Sequence, residues 1–238
     1  MPLTGGLYAC EDPAIWQQVF GIYPEVIKAK GGKQKKLPAL DRWYQSELPA
    51  AVLSRPDKYL SHAELVKLME WKLTRGKFRP RLQQMVQANP GETVEACTRR
   101  AFQLLPDVGA AITELSQLKA IGPATASAVL AAGSPDTAAF LADEAVLAIP
   151  GLPPVQYTLK YYLLYLDKVR SCVRRLKKAG GGGGGEWTPH RVELCLWTWA
   201  VAEKLCPALL VDIRPGAAGH VPDSSGEVVP PAKKRKAK

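Results

Sequence analysis

Two stretches of this chain carry residue types and spacings that suit chemistry on a polyanion. The first is "LKAIGPATASAVL", Leu118 to Leu130, where a helical pattern stops at Gly122 and restarts at Pro123. Glycine opens the left-handed backbone region without a side-chain penalty, and proline favours the first turn of the helix that follows. Backbone amides then emerge from that helix tip at Gly122, Ala124 and Thr125, and several such donors with the helix dipole suit a phosphate. Lys119 adds a cation on the same turn, and the small residues Ala124, Thr125, Ala126 and Ser127 allow close approach of a neighbouring helix or a nucleic-acid backbone. The second stretch is "MEWKLTRGKFRPRL", Met69 to Leu82. In it Lys72, Arg75, Lys77 and Arg79 suit phosphate contacts, with Trp71 or Phe78 stacking on an exposed base, the alternative being aromatics packed inward beneath solvated charges.

The charge balance supports an anionic partner. The chain has 238 residues, 47% of them hydrophobic and 23% charged, and a formal net charge of +10. Residues 91–150, which hold the Gly122 turn, carry seven acidic and three basic side chains and are net −4. Residues 1–90, with fourteen basic and eight acidic, and 151–185, with seven basic and one acidic, are each net +6. Cations for a phosphate surface must therefore come from segments folded beside the turn, and nucleic acid is the commonest acidic partner for such a chain. No run approaches the roughly 20 apolar residues that span a bilayer, and the N-terminal thirty residues lack a secretory signal pattern. The expectation is a soluble intracellular protein with no membrane partner. Cys10, Cys97, Cys172, Cys195 and Cys206 contain no CxxC pair or zinc-ligand spacing, so buried reduced thiols are expected, with no metal site and no cofactor.

The elements that must position these residues read as helices throughout. The apolar spacing predicts helices over Pro13–Lys30 and Leu40–Leu53, then a capping box of Ser61 and Glu64 opening a helix to Arg75. Further helices are expected from Pro80 to Ala88, Glu92 to Leu105, within Val108–Ala132 on both sides of Gly122, around "LADEAVLAI", and from Val155 to Lys178. Thr188 and Pro189 predict the start of the last helix, whose apolar content docks it onto the main body. The expected architecture is all-α: one domain over 1–210, interrupted by a flexible Gly-rich insertion at 179–186 and followed by a disordered basic tail over 211–238.

Over residues 114–147 the order "LKAIGPATASAVLAA", "GSPDTAAF", "LADEAV" resembles the helix-hairpin-helix DNA glycosylase superfamily, of which endonuclease III is a member. The resemblance implies a glycosylase-like helical body, a hairpin that grips the DNA backbone, and an active cleft beside it. Asp143 falls where that family places an aspartate after the hairpin. If the chain is an enzyme, the resemblance implies a monofunctional N-glycosylase: an ionised carboxylate at 143 stabilises the oxocarbenium-like transition state and orients water while the base sits in a pocket. Trp71, Phe78, Tyr161 and Tyr162 are candidate pocket walls, and Asp143 as a helix N-cap, with Glu144 beside it, is the non-catalytic alternative.

Two departures shape the expected function. Bifunctional members carry a nucleophilic lysine just after the hairpin glycine, where Ala124 stands, so lyase chemistry by that route is excluded. The iron–sulfur cluster of endonuclease III-like members needs four closely spaced cysteines, which the chain lacks. A DNA-binding protein that keeps the scaffold without turnover is the leading reading, with base excision by Asp143 as one alternative. Another is a protein-interaction scaffold using the face of the last helix around Trp197 and Trp199. Finally, "PPAKKRKAK" places Lys233, Lys234, Arg235, Lys236 and Lys238 in a proline-preceded basic cluster that nuclear-import receptors read, so the nucleus is the expected location.

Overall fold

The computed structural model describes residues 6–180, 187–211 and 213, and among them every regular element is a helix. The glycines from 181 onward in the Gly-rich run and the basic cluster Lys233, Lys234, Arg235, Lys236 and Lys238 lie outside the described residues. Ala179 and Gly180, assigned from the sequence to the insertion, belong instead to the end of a helix as its last residue and its C-cap.

After a short 3₁₀ turn at Leu7–Ala9, α1 (Pro13–Gly21) starts on Asp12, whose carboxylate accepts from the Ala14 amide. The single helix expected over Pro13–Lys30 is two: Ile22 leaves helical geometry (φ −87°, ψ 1°), and α2 (Tyr23–Gly31) restarts on it with Pro24 in its first turn. A proline there has no N–H to continue the α1 ladder. α3 (Leu37–Arg42) winds through a π segment, Trp43–Glu47, into α4 (Leu48–Leu53). Pro49 has no N–H for the Gln45 carbonyl, a local reason for the wider turn.

α5 (His62–Arg75) opens on the expected capping box, with Ser61 Oγ accepting from Glu64 N and Glu64 accepting from Ser61 N. α6 (Pro80–Gln87), α7 (Gly91–Gln103) and α8 (Val108–Leu115) follow, then α9 (Pro123–Gly133) and the short α10 (Asp143–Leu147). α11 (Leu159–Ala179) begins four residues later than the periodicity suggests, because Thr158 caps the Tyr161 amide. α12 (Pro189–Leu205) begins at the expected Thr188 cap, and a 3₁₀ turn, Pro207–Leu210, follows it.

The core forms around α12, which is packed by α1, α2, α10 and α11. Its side chains are buried without interruption from Val192 to Ala202, the pattern of a helix with no solvent face. Trp197 is fully buried and Trp199 is 8% exposed, so the interaction face read there from the sequence does not exist: those rings are core. α9 is buried from Ala124 to Gly133 and meets α4, α5, α8 and α11. Its small side chains are thereby explained by packing, since four helices reach it at close range. Cys97, Cys172 and Cys195 are buried and Cys10 and Cys206 partly so, all as free thiols.

Candidate functional site

The connection between α8 and α9 is built differently from the sequence expectation. Gly122 is extended (φ −100°, ψ −179°), and a Cβ placed on it would meet nothing within 4 Å. The left-handed residue is Ala120, at φ 65°. An alanine there costs about 1 kcal/mol or more, so the surroundings must impose it. Asn89 does so. Buried at the end of α6, it accepts from the Lys119 amide at 2.8 Å and donates to the Lys119 carbonyl at 3.0 Å, clamping the turn on both sides of its peptide groups. The sequence showed "NPG" only as a helix break, and nothing local to Asn89 signals a partner thirty residues away.

Beyond the turn, α9 begins without a side-chain cap. Pro123 has no N–H, and the first intrahelical bond runs from Ala126 N to Gly122 O at 2.9 Å. The amides of Ala124 and Thr125 therefore lack a helical acceptor by geometry alone. Ser127 fixes what faces them: its hydroxyl donates to Ala124 O and accepts from Leu141 N at 2.9 Å. Tyr165 and Tyr162 on α11 donate to the Phe140 and Ala139 carbonyls. The 134–142 loop is thus tied on both sides, and it delivers Asp143 to the start of α10.

These elements enclose a cleft of about 630 Å³. Gly122, Ala124 and Thr125 form one wall, Phe140 to Glu144 a second, and the end of α5 with the segment to Arg79 a third, where Lys72, Arg75, Lys77 and Arg79 contribute. Asp143 is the first residue of α10, while Ala142 occupies the cap position, so the N-cap role weighed from the sequence is not the one it plays. Its two carboxylate oxygens accept from the Tyr157 hydroxyl at 2.8 and 2.9 Å. Glu144 instead pairs with Lys30 at 3.3 Å. Tyr157, in the loop before α11, was missed by the sequence reading, because an aromatic in a Pro-rich loop has no periodicity to mark it. Burial raises its pKa, and the hydrogen bond to Asp143 and the charge of Asp143 add to the rise.

The cations divide into three kinds. Lys77 and Arg79 are exposed at the mouth, with Phe78 between them 70% exposed and the Arg79 guanidinium 5.9 Å from the Tyr157 ring centroid. Lys119 is exposed on the turn but does not line the cleft. Arg75 is buried, donating to both carboxylate oxygens of Glu193 (2.9 and 3.3 Å) and lying 4.2 Å from the Trp197 ring centroid. It is a structural ion pair of the core, and its expected phosphate contact is withdrawn because its charge is already spent. Burial drives the Glu193 pKa upward, and the attraction of Arg75 opposes that rise.

Lys72 is the third kind. It lines the cleft half-buried, and its side-chain amine has neither a hydrogen bond nor an ion pair to any described residue. Desolvation lowers its pKa, the nearby Arg79 charge lowers it further, and the charge of Asp143 pulls the other way.

Among the aromatic candidates, Trp71 is 1% exposed, stacked on Tyr44 with centroids 3.5 Å apart and donating its indole N–H to Asp41 at 2.9 Å. It has no face left for a base, which corrects the sequence expectation. Tyr161 and Tyr162 are also buried, their hydroxyls donating to Pro153 O and Ala139 O. Phe78 alone of the four remains presented to solvent.

Among the described residues no helix is long and apolar enough to cross a membrane, and no group of three or more His, Cys, Asp or Glu could hold a metal ion. Comparison of the chain with protein-family models, with curated proteins and with solved structures gives no match.

Proposed function

We propose that this chain is a DNA-binding protein on a helix-hairpin-helix glycosylase-like scaffold. In this reading the turn at Gly122 holds a backbone phosphate through its amides, Lys77, Arg79 and Lys119 hold the neighbouring phosphates, and the cleft receives an extruded base. What supports it above all is that the uncapped start of α9, Asp143 and the exposed Lys77 and Arg79 border one cleft, with Phe78 exposed between the two cations. Its volume of about 630 Å³ lies within the roughly 300–1,000 Å³ of small-molecule sites. Phe78, flanked by two cations and bare to solvent, suits stacking on a base or wedging beside one. The basic cluster at 233–238 supports delivery to the nucleus by an import receptor, which imaging of a chain lacking that cluster would test.

A second reading, monofunctional base excision, rests on Asp143 facing the same cleft with Tyr157 holding its carboxylate. A fixed carboxylate is suited to stabilising an oxocarbenium-like sugar and orienting water on it. Both readings are tested in one series. Duplexes carrying a panel of damaged bases are incubated with the protein, and bound fraction and abasic-site formation are scored together. Binding without abasic sites supports the first reading alone. Excision that disappears in Asp143→Asn with binding kept supports the second, and excision that persists in that variant removes Asp143 from it. Absence of duplex binding at low salt defeats both.

A further inference from the structure

A second cavity, of about 580 Å³, shares no lining residue with the cleft. Its walls are mostly apolar: Phe20 from α1, Ile27 from α2, Pro38 from α3, Ala132 from the end of α9 and Leu194 from α12. One buried acid stands in this wall. Asp41 is 4% exposed, and its Oδ1 accepts from the Tyr23 hydroxyl at 2.8 Å and from the Trp71 indole N–H at 2.9 Å. Its Oδ2 accepts from no described residue and no cation among them pairs with it, whereas Glu193, likewise buried, has both oxygens on Arg75. A carboxylate withdrawn from water with its charge unmatched is destabilising until a cation completes it.

The polar groups beside Asp41 run in one direction. Because a carboxylate oxygen can only accept, the Tyr23 hydroxyl donates its proton there and accepts from Gln45 Nε2 at 3.1 Å. That turns Gln45 Oε1 toward His190 Nε2, 2.8 Å away, so the ring carries its proton on Nε2. Nδ1 is then an acceptor, and it is buried without a partner. Tyr23, Gln45 and His190 all line the cavity, and the relay they form leaves an unfilled acceptor at each end, Asp41 Oδ2 and His190 Nδ1. Tyr44 and Gln45 reach the wall from the π segment, a wide turn that recurs at functional sites. Two cations line the cavity, and both are engaged elsewhere: Arg42 lies 3.8 Å from Glu47, and Arg191 donates to Gln17 and packs on the Phe20 and Trp187 rings.

We propose that this cavity binds a small organic ammonium ion, a protonated amine on an apolar body, which donates to Asp41 Oδ2 and packs its body among Phe20, Ile27 and Leu194. The proposal stands apart from the DNA reading and survives its failure. A cavity of this volume suits a small molecule, and a hydrogen bond from a cation to a buried carboxylate is of the strong, charge-assisted kind. A quaternary ion has no N–H to donate, and a carboxylate or phosphate would meet Asp41 with like charge.

The test is calorimetric titration of the full-length protein at neutral pH with phenethylammonium and hexylammonium, each set against the alcohol and the carboxylate of the same shape. The expected result is an ammonium bound about tenfold or more tighter than its alcohol, with the carboxylate weaker still. Neither ammonium binding at millimolar concentration overturns the proposal, as does an alcohol or carboxylate bound as tightly as its ammonium. Asp41→Asn keeps an oxygen for Tyr23 and Trp71 but removes the charge, and it is expected to lower ammonium affinity about tenfold or more while leaving the alcohol unchanged. Ammonium affinity unchanged in that variant, with its fold checked by thermal melt, overturns the proposal. Where Asp41→Asn does not fold, the site is located on the wild-type chain by photolysis of a diazirine-bearing phenethylammonium and mass spectrometry. Label on Phe20, Ile27 or Leu194 supports the cavity, and label confined to residues away from it overturns the assignment.

Discussion

Replacing Lys77 and Arg79 together by alanine removes two exposed charges from the mouth of the cleft without opening the core, since neither is in an ion pair or buried. Counting Lys119 on the turn as the third reachable cation, and excluding Arg75 because Glu193 neutralises it, three phosphate contacts are available near the site. Each contact contributes about −0.9 to the slope of log Kobs against log salt, giving a local slope of roughly −2.7. Raising salt from 50 to 200 mM should then weaken duplex binding by about 40-fold in the wild-type chain. With one contact left the slope falls to about −0.9 and the same change costs only about three- to fourfold. Fluorescence anisotropy on a labelled duplex at stepped salt measures both slopes, and a thermal melt of each protein checks that the fold survives. Equal slopes in the two proteins would refute the assignment of Lys77 and Arg79 to phosphates. An Arg75→Met variant with a slope lowered by a full unit would refute the exclusion of Arg75.

The core makes two further predictions. Arg75→Met alone strands Glu193 in the interior and should cost about 3 kcal/mol or more in urea unfolding, whereas Arg75→Met with Glu193→Leu should regain much of that loss. A double variant no more stable than the single one would show that the pair is worth more than its burial costs. The second prediction is a pH dependence. His190 accepts burial as a neutral ring, its Nε2 2.8 Å from Gln45 Oε1, and burial, with the Arg75 charge adding, lowers its pKa to about 3 from an ordinary 6.5. The unfolded chain therefore binds the proton first, so stability is full above pH 6.5 and is lost as pH falls toward 3. The loss should reach the order of 2–3 kcal/mol near pH 4. His190→Gln should flatten that part of the stability profile, and an unchanged profile by denaturant titration would remove His190 as its source.

Much of the architecture is legible in the chain order of residues because its signals are local. Ser61 with Glu64, Thr188 with Pro189 and the apolar period of α11 each act within one or two helical turns, and each produced the expected element. The breaks at Ile22 and at the π segment before Pro49 are also local, but a pattern of apolar spacing continues straight through them. The Met69 to Leu82 stretch shows where local reading stops. Its charges and its two rings are intermixed along the sequence, yet the fold sends Trp71 and Arg75 inward to Tyr44 and Glu193 and leaves Lys77, Phe78 and Arg79 outside.

What sequence alone determined, then, is an all-α chain with a tight turn between helices, a basic flank on either side of an acidic middle, and Asp143 downstream of the turn. Only the tertiary structure decided that Ala120 bears the left-handed conformation, because the force imposing it comes from Asn89, which holds Lys119 from thirty positions earlier. It also decided which cations remain free, since that depends on carboxylates such as Glu193 that reach them across more than a hundred residues. Burial and pairing are properties of the packed assembly of helices, and a single helix carries no record of which neighbour will cover it.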